Sequence, residues 1–254
     1  MKDKTIIRIE DKYANYTILR KFILDIDSTF RDGGTIISKN NRNTIKRYLV
    51  NKHGNKLFDI VVKQSRPKSF YHKIIYGIFA KSKSRRSYEN AHILVAAGCV
   101  TPEPISFVEI RHGYLLQSCY YISAYTDAVS VRTELEEKAN YQLANSFAHF
   151  IAHLHNNGIV HHDLNLSNVL YNKTDNKYEI SVIDINRMTH RKAKNLNILQ
   201  CYDDFVRWTD NKNLYIFVME EYAYTRGIPV HEFIRQSLVI KRIHNFIWKI
   251  RHII

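Results

Sequence analysis

The chain has 254 residues, 45% of them apolar, and 38 Lys and Arg against 24 Asp and Glu, for a formal net charge of +14. That length supports a sizeable core, in one large domain or in two lobes sharing a cleft, and the apolar content excludes a disordered chain. The charge favours polyanionic partners (nucleic acid, anionic lipid or phosphorylated glycan) and is equally explained by solubility and an AT-rich coding bias, so it does not choose among them. No apolar run reaches the length of a membrane-spanning helix. Met1-Lys2-Asp3-Lys4-Thr5 lacks the apolar core of a secretory signal. Cys99, Cys119 and Cys201 show no metal or disulfide spacing, so a reducing cytosol is the expected setting.

Residues 1–30 mix charged and aromatic positions and predict one or two short strands or an irregular lead-in. Asp32-Gly33-Gly34-Thr35 is a turn signal. Its diglycine could let backbone amides approach a phosphate, although it is not a GxGxxG and reads equally as a simple turn. Strands follow over 35–39 and 44–50, around the polar turn Asn40–Asn43. After a turn at His53-Gly54-Asn55, a β-branched-rich strand spans 57–64. Three successive antiparallel strands make a small β lobe. Lys63 ends the third. It fits either an edge-strand lysine that discourages aggregation or an ammonium held against nucleotide phosphates, a role that needs a carboxylate on a nearby helix. A helix over 83–95 supplies Glu89.

Gly98 to Pro104 ends that helix and begins an extended segment. Residues 106–109 and 114–118 predict a strand pair, and 120–125 a further strand ending near a linker at Thr126-Asp127. Thr133 and Glu136 have the spacing of a capping box, and Leu135, Ala139, Leu143, Phe147, Ile151 and Leu154 repeat at helical spacing up to a stop at Asn157-Gly158. His149, His153 and His155 lie on or near this helix without a convergent ligand pattern and read as surface or core histidines.

The helix leads into Val160-His161-His162-Asp163-Leu164-Asn165-Leu166-Ser167-Asn168-Val169, a polar loop between two apolar stretches. A second apolar run, Ser181-Val182-Ile183, ends at Asp184. Asp and Asn favour plain hairpin turns. With Asp184 downstream, however, the pattern fits phosphoryl transfer on a kinase-like fold. There one Asp orients the attacking hydroxyl, while an Asn and a second Asp supply the hard oxygen ligands that Mg²⁺ requires. Beyond it come a basic stretch over 187–194, a helix over 195–208, and another over 214–224 ended by Arg226-Gly227-Ile228-Pro229. The final segment, 231–254, is amphipathic. Ile240, Ile243, Ile247, Ile250 and Ile254 form a stripe opposite Arg235, Lys241, Arg242, Lys249 and Arg251. It packs on the C-terminal lobe or lies at an anionic bilayer surface.

Taken together, these residues resemble the lipopolysaccharide kinase family over roughly Gly34 to Trp208. The marks are Asn41-Arg42-Asn43, Val61-Val62-Lys63, the run from Ser82 to Ala91, Gly98 to Pro104, Tyr120 to Tyr125 and the His161–Asn168 loop. The resemblance implies an α+β, two-lobed protein-kinase-like fold: a small antiparallel β lobe over 1–126 that binds nucleotide, and a mainly helical catalytic lobe over 127–254. It implies an ATP-dependent kinase acting on a Kdo or heptose hydroxyl of the lipopolysaccharide inner core. Asp163 would be catalytic. Lys63 and Glu89 would serve ATP, joined by the Gly33-Gly34 turn read above from the residues alone, and Asn168 and Asp184 would hold Mg²⁺. The implied partners are a lipid-linked glycolipid acceptor and an anionic membrane surface, with no nucleic acid, at the cytoplasmic face of a bacterial inner membrane. The basic, aromatic stretch over 68–76 and the terminal helix suit such an acceptor. Asn165 stands where protein kinases carry Lys, His162 where they carry Arg, and Ile185-Asn186 where they carry Phe-Gly. These departures argue against a peptide substrate and a regulated activation loop. The alternatives are an atypical kinase acting on protein or an RNA-associated partner, and a catalytically silent binding module.

Overall fold

The structure is a computed structural model that describes residues 3–41, 43–51, 58–175, 177–193 and 196–253, with side chains through residue 250. The turn expected at His53-Gly54-Asn55 lies outside the described residues, as do Met1, Lys2, Arg42, Leu57, Lys194, Asn195, Ile254 and the side chain of Arg251. The chain divides into two compact units, one of Met1–His92 with Pro102–Thr126, the other of Ile93–Thr101 with Asp127–Ile254. Among the described residues no helix is long and apolar enough to cross a membrane.

The first unit is built on a six-stranded antiparallel sheet. Its strands are β1 (Asp3–Ile9), β2 (Thr35–Lys39), β3 (Asn43–Val50), β4 (Phe58–Ser65), β5 (Pro104–His112) and β6 (Leu115–Ala124), in the order β1-β5-β6-β4-β3-β2. The three strands expected in succession are β2, β3 and β4. Residues 115–124, read from the sequence as parts of two strands, form one continuous strand, whose register against β4 runs from Ile60–Ala124 to Ser65–Cys119.

The lead-in departs from expectation. After β1 it is helical: α1 (Asp11–Ala14), α2 (Thr17–Leu24) and α3 (Ile26–Asp32). Leu19, Ile23, Ile26 and Phe30 are buried and join Tyr48, Ile60, Val62, Tyr120 and Ile122 in one core. Their spacing of four, three and four is the helical period. Burying each such side chain contributes roughly 1.5–3 kcal/mol. Polar ties fix the helices on the sheet. Gln64 Nε2 donates to the Tyr120 hydroxyl at 2.7 Å, and that hydroxyl donates to Asp27 at 2.6 Å. Lys46 Nζ donates to the Phe30 and Gly33 carbonyls at 2.6 and 2.7 Å, covering the open end of α3.

Between β4 and the next long helix, α4 (Phe70–Ile74) runs into a π-helical turn, Ile75–Phe79. Arg111 clamps this turn: its Nη1 donates to the Gly77 carbonyl at 2.7 Å while its Nη2 reaches Glu109 at 2.5 Å. A Cβ on Gly77 would stand 1.8 Å from the Tyr114 carbonyl oxygen. That neighbour is backbone and cannot swing aside. Gly77→Ala is therefore expected to destabilise the protein by about 1–3 kcal/mol, the usual range for overpacking, read as a lower thermal midpoint.

The helix that follows is α5 (Lys83–Ala96). The second unit is mainly helical. Its long helices are α6 (Tyr141–Asn156), α8 (Lys212–Arg226) and α9 (Val230–Ile253), with a short α7 (Ile198–Cys201) between α6 and α8. Leu143, Phe147, Ile151 and Leu154 of α6 and Leu214, Val218 and Tyr222 of α8 are fully buried. The expected capping box at Thr133 does not form. Thr133–Glu137 is an isolated π turn, Ala139 takes a left-handed φ of 47°, and Asn140 caps α6 by accepting from the Leu143 amide at 3.1 Å. The helix expected over 195–208 is likewise short: Asn197 and Gln200 form a capping box on α7, and Tyr202–Asp204 continues as one 3₁₀ turn. Short strands complete the unit. β9 (Val169–Thr174) lies between β10 (Lys177–Val182) and β7 (Val129–Ser130), and β8 (Ile159–Val160) pairs with β11 (Thr189–His190).

Candidate active site

The loop from β8 to β9 carries Asp163 and Asn168, and its shape is set by an aspartate distant in sequence. The carboxylate of Asp204, fully buried, accepts from the backbone amides of His161 at 2.9 Å and His162 at 2.7 Å. This holds His162 at a φ of 63°, a left-handed conformation that costs a non-glycine residue about 1–3 kcal/mol. His161 is buried. Its Nε2 donates to the Ile183 carbonyl at 3.0 Å, and its Nδ1 accepts from the Asp163 amide at 3.3 Å. The same ring thus joins the loop to the residue before Asp184.

Asp204 is itself embedded in polar partners. His155 Nε2 lies 3.2 Å from it, and His155 Nδ1 meets the Tyr222 hydroxyl at 2.7 Å. Arg226 donates to that hydroxyl at 2.6 Å and lies 3.3 Å from Cys201 Sγ. Burial opposes the charge on Asp204, but the hydrogen bond and charge of His155 outweigh it and hold the carboxyl below its ordinary range. Burial likewise works to lower His155, and Asp204 together with Cys201 reverses this, so the imidazole titrates above its ordinary value. Sequence reasoning placed Asp204 within a longer helix and missed its role. The available signal was an acidic residue directly before the apolar pair Phe205-Val206.

Asp163 is 21% exposed, and two arginines that sequence reasoning also missed flank its carboxylate. Arg187 Nη1 stands 3.4 Å from Oδ2 and Arg207 Nη1 3.5 Å from Oδ1. Asn168 lies in the same loop. Its Nδ2 donates to the Asp163 carbonyl at 2.8 Å, and its own carbonyl accepts from the Ile183 amide at 2.9 Å, which draws the Asp184 segment alongside. Asp184 adopts a left-handed conformation, φ 58° and ψ 40°, and accepts from Asn186 Nδ2 at 2.6 Å. A parallel bridge from Val100 to Ser181 and a 2.8 Å bond from Thr101 to the Val182 carbonyl brace the strand before it. Because the Asn168 amide nitrogen is committed to the backbone, its Oδ1 is left as the acceptor side. An amide oxygen and a carboxylate are hard donors suited to Mg²⁺. Among the described residues no group of three or more His, Cys, Asp or Glu has metal-binding geometry, so a cation here would rest on Asn168 and Asp184 together with ligands from outside the chain.

The remaining expected residues lie in the first unit. Lys63 is half-buried on β4, which runs between β6 and β3, opposite Tyr121 and Ile45. It is not on an edge strand, which removes the anti-aggregation explanation. Where the sequence reading set Glu89 beside Lys63, the structure gives the two Glu89 oxygens to Lys81 at 2.7 Å and Arg85 at 3.0 Å. Burial works against the charge on Glu89, and these cations outweigh it, holding the carboxyl below its ordinary value. Gly33 and Gly34 form the turn between α3 and β2. The Gly33 carbonyl accepts from Lys46 and from the Tyr48 hydroxyl at 2.9 Å. Gly34 has a φ of 86°, and a Cβ there would stand 2.4 Å from the Tyr48 ring. A close approach to Tyr48 accounts for that glycine without a phosphate.

A search of curated proteins finds no match to the sequence. Among solved structures the chain is similar to WaaP in complex with acyl carrier protein, with a TM-score of 0.64 over 94% of this chain and 97% of that one, at 14% sequence identity. That likeness concerns the fold, which is the α+β kinase-like architecture expected from the sequence. The pattern of the lipopolysaccharide kinase (Kdo/WaaP) family matches residues 29–214. That match spans most of the chain, including five of the six strands of the first unit's sheet and the Asp163 loop of the second, and the protein belongs to the lipopolysaccharide kinase (Kdo/WaaP) family.

Proposed function

We propose that the protein is an ATP-dependent kinase that phosphorylates a Kdo or heptose hydroxyl in the inner core of lipopolysaccharide. The observation that carries this reading is the Asp163 loop, which Asp204 holds in a strained shape and which presents one carboxylate between two arginines. Phosphoryl transfer needs positioning and charge neutralisation more than covalent help. In this reading Asp163 orients the acceptor hydroxyl and takes its proton. Arg187 and Arg207 keep that carboxylate in place. Lys63 anchors the nucleotide phosphates on a rigid interior strand, and Glu89 orders the basic face of α5. Asn168 and Asp184 would hold Mg²⁺, which when bound neutralises charge on the phosphates. Radiolabelled phosphate transfer from ATP to purified core glycolipid, set against RNA and protein mixtures, tests the assignment. No transfer to any of them would leave a silent binding module. Mass spectrometry of glycolipid from cells with and without the gene should show a difference of one phosphate.

The metal assignment has its own expected outcome. Asn168→Ala removes one hard oxygen ligand and should raise the magnesium concentration for half-maximal activity several-fold while the protein remains folded. Superimposable magnesium titrations for the two proteins would remove Asn168 from the site.

An acceptor anchored in lipid calls for a membrane-facing surface. Phe70, Tyr71, Ile78, Phe79 and Tyr114 of the first unit are exposed, as are Ile243, Phe246, Ile247 and Ile250 of α9. Lys68 and Lys73 accompany the former, and Arg242 the latter. Exposed apolar groups accompanied by cations suit peripheral contact with anionic lipid at a cytoplasmic membrane face. Each cation near such a surface adds about 1 kcal/mol, screened by salt. Salt-sensitive co-sedimentation with anionic vesicles is the expected behaviour. WaaP is seen with acyl carrier protein, and co-elution of the two purified proteins would extend that partner to this chain.

A further inference from the structure

The second unit carries a cavity that the roles above leave unassigned. It has a volume of about 500 Å³ and lies between the Val206–Asp210 segment and α9. Its lining includes Arg207, Asp210, Lys241, His244, Trp248 and Lys249. The size falls within the roughly 300–1,000 Å³ usual for small-molecule sites. Lys241, His244 and Trp248 recur three and four residues apart, so one face of α9 forms one wall.

Arg207 links this cavity to the reaction centre. One end of its guanidinium stands 3.5 Å from Asp163 Oδ1, and its Nε meets His244 Nε2 at 3.3 Å. The contact with Asp163 is long for a charge-assisted hydrogen bond, which closes to about 2.7–2.9 Å when the geometry is good. A planar carboxylate or a phosphate in the cavity would give the guanidinium a better, two-pronged partner. Lys241 is 14% exposed and held in place by the Val206 carbonyl at 3.1 Å and Asp210 at 3.5 Å. Asp210 is the one carboxylate on the lining and is 95% exposed at the rim, facing three Lys and Arg side chains. The balance is cationic. Trp248 is 55% exposed and adds a flat apolar surface of the kind that lies against the C–H face of a sugar ring.

We propose that this cavity is the acceptor subsite and that it recognises a sugar bearing an oxyanion, either a carboxylate or a phosphate ester. Arg207 and Lys249 pair with the anion and Trp248 lies against the ring. Arg207 touches both anion and Asp163, so a hydroxyl of the same ring comes within reach of the Asp163 carboxylate. Lys241 and His244 are positioning residues that fix the wall and Arg207. The inference rests on the kinase reading above and adds to it where, and by which group, the acceptor is held.

The protein contains its own reporter. Of its two tryptophans, Trp208 is buried and Trp248 is half-exposed in the cavity. Tryptophan emission of the full chain is followed while free Kdo, glucose 6-phosphate or neutral glucose is added at low salt. The expected result is a saturable change with Kdo or with glucose 6-phosphate, whichever oxyanion fits, and none with glucose. It should vanish in Trp248→Phe and need at least about tenfold more ligand in Arg207→Gln and in Lys249→Gln. Nucleotide affinity should not change in Lys249→Gln. An equal response to glucose, or no response to any of the three, overturns the subsite. So does an unchanged acceptor KM for core glycolipid in both Trp248→Ala and Lys249→Gln while wild-type transfer proceeds. The kinase reading fails by a different sign, namely no phosphate transfer to glycolipid by the wild type at all.

Discussion

Asp163→Ala is expected to lower turnover by at least about 10²–10⁴-fold, the range that a positioned general base contributes, while leaving the protein folded. The two halves of that expectation have separate causes. The carboxylate is the loop's own acidic side chain, backed by a main chain that Asp204, His161 and Asn168 hold in place without help from its side chain. Removing it deletes the chemistry and leaves the loop standing. Its ion pairs are 3.4 and 3.5 Å long, to arginines that are about half exposed. Such pairs contribute about 0–1 kcal/mol, and the arginines left behind still face water. Asp163→Asn should be nearly as inactive, because an amide keeps the shape and cannot take a proton. Single-turnover phosphate transfer together with a thermal melt checks both halves. Near-normal transfer by purified Asp163→Ala would remove it from the reaction.

Legibility in the sequence followed chain distance. Asp163, Asn168 and Asp184 were readable because the loop chemistry is local: four residues separate the first two, and one short hairpin brings the third. The strands β2, β3 and β4 were readable for the same reason. The interior position of β4 was not, since β6, which covers its far side, begins fifty residues beyond its end. The helices of the lead-in were a different failure. Leu19, Ile23, Ile26 and Phe30 display the helical period openly, but Asp25 interrupts the run and divides it into two helices of eight and seven residues. At Thr133 a good local capping signal lost to Asn140, whose side chain caps the helix that packs on α8. Glu89 was correctly placed on a helix. Its partners, Lys81 and Arg85, were nearer in sequence than the Lys63 assigned to it.

Asp204→Ala is expected to cost roughly 3–5 kcal/mol of stability, as for other buried pairs stripped of one partner, and to abolish activity with no acidic group lost from the reaction centre. Two backbone amides and His155 all converge on this one fully buried carboxylate. Its removal leaves three donors without their acceptor, each costing about 1–3 kcal/mol when buried, and releases His162 from its left-handed conformation. Asp204→Asn keeps one acceptor oxygen and should lose less, so it isolates the ionic part, which depends on pH. The Asp204 carboxyl is depressed in the folded state. Its contribution is therefore present above the unfolded value of about 3.9 and lost as pH falls through the lower, folded one. His155 is raised. Its contribution is complete below the unfolded value of about 6.5 and lost as pH rises through the higher, folded one. The pair is thus worth most between about pH 4 and 6.5. The gap in thermal midpoint between wild type and Asp204→Asn should be widest there and narrow on either side. A gap that stays constant from pH 3 to 9 would mean that Asp204 holds the loop as a hydrogen-bond acceptor alone, with no ion pair to His155.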